Sequence, residues 1–202
     1  STTSGIWTEI ENINKPEFFI WQAILQWLGG LCTILVGSFF VEMVFRKKSI
    51  LKDYFSIENI KIIFYLFLSL TVIFTILFKL LLNSWSEAIQ LSMALISTSN
   101  GYNPNGEIIV ETNVITKIVM IFAMIFGSLS INLHYKSFAN GFLSYFKNKN
   151  FKLAFILIFS ITFFITLGFF NNVKISFFEK YVETCFLIIS FISTTGLIPN
   201  DL

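Results

Sequence analysis

The sequence predicts an all-α transmembrane fold built by repeating one unit, and three observations predict it. First, 55% of the 202 residues are hydrophobic and only 13% are charged, against about 25% charged in a soluble domain. Second, apolar runs long enough to cross about 30 Å of hydrocarbon recur along the chain. Third, three hydroxyl-rich loops recur: Ser1-Thr2-Thr3-Ser4-Gly5-Ile6, Ile96-Ser97-Thr98-Ser99-Asn100-Gly101-Tyr102 and Ile192-Ser193-Thr194-Thr195-Gly196-Leu197. Their glycines, Gly5, Gly101 and Gly196, fall 96 and 95 residues apart. A period of that length in so apolar a chain signals a repeated membrane unit with one special loop in each.

Residues 1–16 are polar and end at Pro16, which suits a first helical position because its missing N–H is not needed there. A helix is predicted from Glu17 to Phe45. Trp21, Gln22, Gln26 and Trp27 near its start read as interface residues, Gly29, Gly30 and Gly37 as a small-residue packing face, and Arg46-Lys47-Lys48 as a cytoplasmic stop. After a polar turn, a second spanning helix runs from Ile60 to Leu82, with Lys79 snorkelling outward near its end.

Ser84-Trp85-Ser86-Glu87 is an S-x-x-E cap. It opens a helix from Trp85 to Ile96 that is too short to span, so it reads as a re-entrant half-helix delivering the chain into the second loop. The Asn- and Gly-containing stretch 103–113 leads back out. A third spanning helix is predicted from Val114 to Phe138 and a lysine-bearing cytoplasmic loop from Lys136 to Lys152. A fourth spanning helix runs from Leu153 to Phe170. Ser176-Phe177-Phe178-Glu179 is a second S-x-x-E cap, and the short helix behind it ends at Ile192.

The predicted domains are 1–48 (loop and following helix of a first unit), 49–147 (a whole unit) and 148–202 (the first part of a third). The chain is thus expected to begin inside a repeat and to belong to a longer reading frame.

Composition excludes several functions. A net charge of +2 without a basic, aromatic-interleaved cluster argues against nucleic acid. No Ser/His/Asp set, metal cluster or phosphate-cradling loop is present, so the chain is expected not to be an enzyme and to need no cofactor. Cys32 and Cys185, 153 residues apart in apolar runs, read as buried packing residues. His134 has no carboxylate three or four residues away and reads as a helix-end polar residue, not a proton relay. Glu87 and Glu183 read as helix-start charges complementing the dipole, with an outer cation funnel as the other reading.

The loops suit a dehydrated cation. Backbone carbonyls replace its water if the chain is extended and glycine adopts dihedrals that other residues avoid. Ser and Thr hydroxyls add ligands without a trapping charge. Half-helices pointing their partly negative C-terminal ends inward favour a cation. Irregular backbone at membrane depth is tolerated only inside protein or along water. Two alignments of the second and third loops are open. Pairing the glycines sets Thr98-Ser99-Asn100-Gly101 against Ser193-Thr194-Thr195-Gly196 and is preferred for the filter geometry. Pairing Ile-Ser-Thr sets Glu87 against Glu183 without a gap.

These residues resemble the TrkH branch of the Trk/Ktr/HKT potassium-transporter superfamily. The resemblance is carried by Gln26-Trp27-Leu28-Gly29-Gly30, by the three loops, and by Met124-Ile125-Phe126-Gly127-Ser128-Leu129 with Tyr135 downstream. It implies four M1–P–M2 pore-loop units of potassium-channel type around one pore, about two of them present here, in a multi-pass bacterial inner-membrane protein. It implies K⁺ as the transported ion, a cytoplasmic nucleotide-binding regulatory ring as partner, and a homodimer at full length. By match, Gly5, Gly101 and Gly196 take the filter-glycine role. Thr2, Thr3 and Ser4 line the first strand, Thr98, Ser99 and Asn100 the second, and Ser193, Thr194 and Thr195 the third. The alternatives are a Na⁺-conducting relative or a non-catalytic multi-span protein whose loops are structural.

Overall fold

The computed structural model describes residues 16–45, 57–99, 113–141, 143–169 and 176–197. Thr2, Thr3, Ser4, Gly5, Asn100 and Gly101 lie outside them. The described residues are helical, with no strand among them. The helices are α1 (Pro16–Phe45), α2 (Ile57–Leu81), α3 (Trp85–Ile96), α4 (Val114–Ser128), α5 (Ile131–Asn140), α6 (Ser144–Lys147), α7 (Lys149–Phe169) and α8 (Phe177–Ile192). Three of them contain segments long and apolar enough to cross a membrane: Ile20–Gly37, Lys61–Leu81 and Lys149–Gly168.

The chain forms two compact units divided between Asn100 and Gly101. In the first unit the short helix α3 packs against both α1 and α2. In the second, α8 packs against both α4 and α7, and α6 joins α5 to α7.

Buried hydroxyls and amphipathic side chains tie the first unit together, as expected where apolar burial alone does not favour helix contact. The Trp27 indole donates to Thr71 Oγ1 at 2.9 Å, fastening α1 to α2. Thr75 Oγ1 and Ser92 Oγ lie 2.6 Å apart, fastening α2 to α3. The interface reading of Gln26 and Trp27 is therefore corrected: both are buried, whereas Trp21 is exposed. Cys185 is buried as expected, but Cys32 is exposed.

The predicted third spanning helix is broken. After Ser128 the chain turns extended at Leu129 (ψ 148°) and Ser130 (ψ 139°), then restarts as α5. Gly127 and Ser128 are weak helix formers, and a tertiary partner takes over the hydrogen bonding at the break. His134 Nε2 lies 3.0 Å from the Phe126 carbonyl, and its Nδ1 lies 2.7 Å from the Tyr145 hydroxyl on α6. Because a carbonyl only accepts, the ring is the Nε2–H tautomer, with Nδ1 accepting from Tyr145. The predicted loop Lys136–Lys152 accordingly contains parts of three helices.

Candidate functional site

The short helices α3 and α8 each end in a hydroxyl-bearing turn, and the two turns are closed by the same hydrogen bonds. At the end of α3, Thr98 N–H donates to Leu95 O at 3.2 Å and Ser99 N–H to Ala94 O at 2.9 Å. At the end of α8, Thr194 N–H donates to Phe191 O at 3.1 Å and Thr195 N–H to Ser190 O at 3.0 Å. Both are Schellman closures, whose first residue past the cap is left-handed and ordinarily glycine. Here that residue is threonine twice, Thr98 at φ 49° and Thr194 at φ 62°. A β-branched side chain in this region is strained, at about 1–2 kcal/mol relative to the right-handed conformation.

The hydroxyls reinforce each turn. Ser97 Oγ and Ser99 Oγ are 2.9 Å apart, and Ser193 Oγ and Thr195 Oγ1 are 2.8 Å apart. All four residues are buried. Ser97 Oγ also donates to Met93 O at 2.7 Å. In the second turn Ser190 Oγ donates to Leu197 O at 2.7 Å, which holds the chain beyond Gly196. The residue in the place of Ser190 is Ala94, which has no hydroxyl.

The equivalences run Ser97 to Ser193, Thr98 to Thr194 and Ser99 to Thr195, a register of 96 residues. Over these three residues the backbone follows the Ile-Ser-Thr pairing; Asn100 and Gly101, on which the glycine alignment rests, lie outside the described residues. Continued along the sequence, this register sets Asn100 against Gly196. Gly196 has φ 71°, with nothing within 4 Å of where a Cβ would stand. Its conformation, not crowding, is what calls for glycine.

Helix α1 seats the first turn. A Cβ on Gly30 would lie 2.7 Å from Ser97 Cβ and 3.1 Å from its Cα, so α1 must present a bare backbone there. One turn earlier, Gln26 Oε1 accepts from Ser99 Oγ at 3.3 Å. Sequence reasoning placed neither residue at the loop.

The second unit uses charge instead. Lys117 Nζ on α4 and Glu183 Oε1 on α8 form an ion pair at 3.0 Å, each side chain 9% exposed. Glu183 sits well inside α8, so the helix-start reading is corrected. The helix-start carboxylate is Glu179, whose Oε2 accepts from Ser176 N–H at 3.2 Å. Glu87, which the 96-residue register pairs with Glu183, is exposed in the first turn of α3.

Of the sequence-predicted site residues, the structure gathers Thr98 and Ser99 in one turn and Ser193, Thr194, Thr195 and Gly196 in the other. The Thr98 and Thr194 hydroxyls have no hydrogen-bond partner among the described residues. Each turn therefore offers an uncommitted hydroxyl oxygen at the partly negative end of a short helix, an arrangement that can accept a cation. No group of three or more His, Cys, Asp or Glu suited to a metal ion occurs among the described residues. Comparison with protein-family models, curated proteins and solved structures gives no match.

Proposed function

We propose that this protein is the pore-forming subunit of a Trk-type potassium uptake system in the bacterial inner membrane. Its Ser/Thr/Gly turns would take the place of the ion's hydration water. The observation that carries the reading is the pair of matching turns. Two short helices, each too short to span, end in the same closure with a free threonine hydroxyl. A turn of this kind ordinarily has glycine at the left-handed position, and strain retained at two equivalent places supports a functional role. On this reading each turn belongs to a pore-loop unit, and Gly5 with Thr2, Thr3 and Ser4 supplies a third strand. A cytoplasmic nucleotide-binding ring and a second copy of the full-length chain are the partners.

A Na⁺-conducting relative is the second reading. It is favoured by the 96-residue register, which sets Asn100 where the third loop has Gly196. A strand without that glycine would hold its carbonyls differently.

Growth of a potassium-uptake-deficient bacterium on low potassium, expressing the full reading frame, tests both. Rescue that Gly196→Ser abolishes at equal membrane expression supports the filter. Equal rescue by both proteins overturns it. Sodium influx without potassium rescue selects the second reading.

A further inference from the structure

The lysine-bearing segment between α4 and α7 is a cation-rich, aromatic-rich surface at the foot of a spanning helix. Its inner side is occupied: Leu133, His134 and Ser137 of α5 are buried, as is Tyr145 of α6. His134 bridges the Phe126 carbonyl and the Tyr145 hydroxyl, and Phe126 and Tyr145 meet edge to face with ring centres 5.7 Å apart. This clamp fixes which face of α5 and α6 turns outward.

The outward face mixes two chemistries. Lys136, Lys147, Lys149 and Lys152 are all exposed. Between them Tyr135, Phe138 and Phe146 stand 45%, 59% and 51% exposed. No Asp or Glu occurs from residue 112 to residue 178, so nothing acidic in that stretch neutralises the lysines. Phe146 continues into a ladder on α7, meeting Phe151 at 5.8 Å, while Phe155 and Phe159 meet tilted, with ring centres 4.3 Å apart. The segment Lys149–Gly168, long and apolar enough to cross a membrane, begins at this patch; with that segment in the bilayer, the patch meets the boundary between hydrocarbon and water.

Exposed aromatics among lysines are costly in water and suited to a headgroup layer. Rings enter the acyl boundary, while ammonium groups meet anionic phosphates. We propose that the outer face of α5 and α6, with the first turn of α7, is an interfacial binding surface for anionic phospholipid of the cytoplasmic leaflet. An acidic protein surface would match the lysines but leave the rings and their continuation onto α7 unexplained. The surface rests on the membrane character of the chain and not on which ion it carries.

The test uses the purified protein in nanodiscs of phosphatidylcholine alone or of phosphatidylcholine with one quarter phosphatidylglycerol. The anionic lipid should raise the melting temperature by several degrees at 50 mM salt and much less at 500 mM. Replacing Lys136, Lys147, Lys149 and Lys152 together by Gln should remove that rise. A second measurement does not depend on that variant folding well. Phe138→Cys in a Cys32→Ser background, labelled with bimane, should be quenched by brominated lipid and shielded from aqueous iodide. Equal melting in both lipids would overturn the proposal. So would quenching of the label by iodide and not by lipid, which would indicate a water-facing surface for a soluble partner.

Discussion

Thr98 and Thr194 stand 96 residues apart and occupy the same left-handed seat, φ 49° and 62°, one residue past the caps of α3 and α8. Each N–H reaches back to the carbonyl three residues earlier. Glycine would occupy either seat with less strain. Thr98→Gly and Thr194→Gly should therefore each raise unfolding stability by about 1 kcal/mol while impairing ion flux through loss of the hydroxyl. Thr194→Ser, which keeps the oxygen, should retain flux. Thermal melts and ion flux in proteoliposomes check both quantities. Flux unchanged in both glycine variants would remove the hydroxyls from the ion path.

Gly30 and Gly37 lie two turns apart on α1 but face different surroundings. A methyl at Gly30 collides with Ser97, whereas nothing stands within 4 Å of one at Gly37. Gly30→Ala should destabilise by about 1–3 kcal/mol, the usual penalty of overpacking. Gly37→Ala should be neutral or stabilising, by up to about 1 kcal/mol, from helix propensity. Denaturation of the two variants side by side checks the difference, and similar behaviour would contradict the close seat of Ser97 on α1.

Much of this architecture was legible in the chain, and the misses have physical causes. Local signals located α3: the Ser84 cap, whose Oγ accepts from Glu87 N–H at 3.4 Å, and the hydroxyl cluster from Ser97. The pairing of Ser97–Ser99 with Ser193–Thr195 is hidden from a glycine-led reading because glycine is the ordinary occupant of a left-handed cap, and here threonine holds it. The break after Ser128 was missed because Gly and Ser are tolerated inside membrane helices. What makes the break affordable is His134 with Tyr145, a tertiary arrangement. Gln26 and Trp27 read as interface residues because their partners, Ser99 and Thr71, are 73 and 44 residues away. Periodicity carries no record of such pairings.

The Lys117–Glu183 pair is buried on both sides and spans α4 and α8. Lys117→Met leaves the buried Glu183 carboxylate uncompensated, and Glu183→Gln breaks the pair from the other side, so each should cost about 3–5 kcal/mol. Replacing both by apolar residues, Lys117→Met with Glu183→Leu, removes the uncompensated charge and should cost far less than the sum of the singles. A double-mutant cycle on unfolding measures the coupling. Additive losses would show that the two side chains contribute independently of the pair.

His134 predicts a pH response of the α4–α5–α6 junction. The ring is 3% exposed, and burial pushes its pKa below the ordinary 6.5, with the Phe126 carbonyl opposing the shift only in part. Protonation would place a charge in a buried site and turn Nδ1 from acceptor into donor towards Tyr145. The native state therefore binds fewer protons than the unfolded one below pH 6.5. The stabilisation is complete above that pH and is lost as pH falls towards the depressed native value. His134→Gln offers one uncharged N–H donor to Phe126 O but cannot titrate, so its stability should lack this acid-side loss. Melting curves of the two proteins between about pH 5 and pH 8, bracketing the ordinary histidine range, should converge at the acid end and separate at neutral pH. Parallel curves would mean that the junction does not depend on a neutral imidazole.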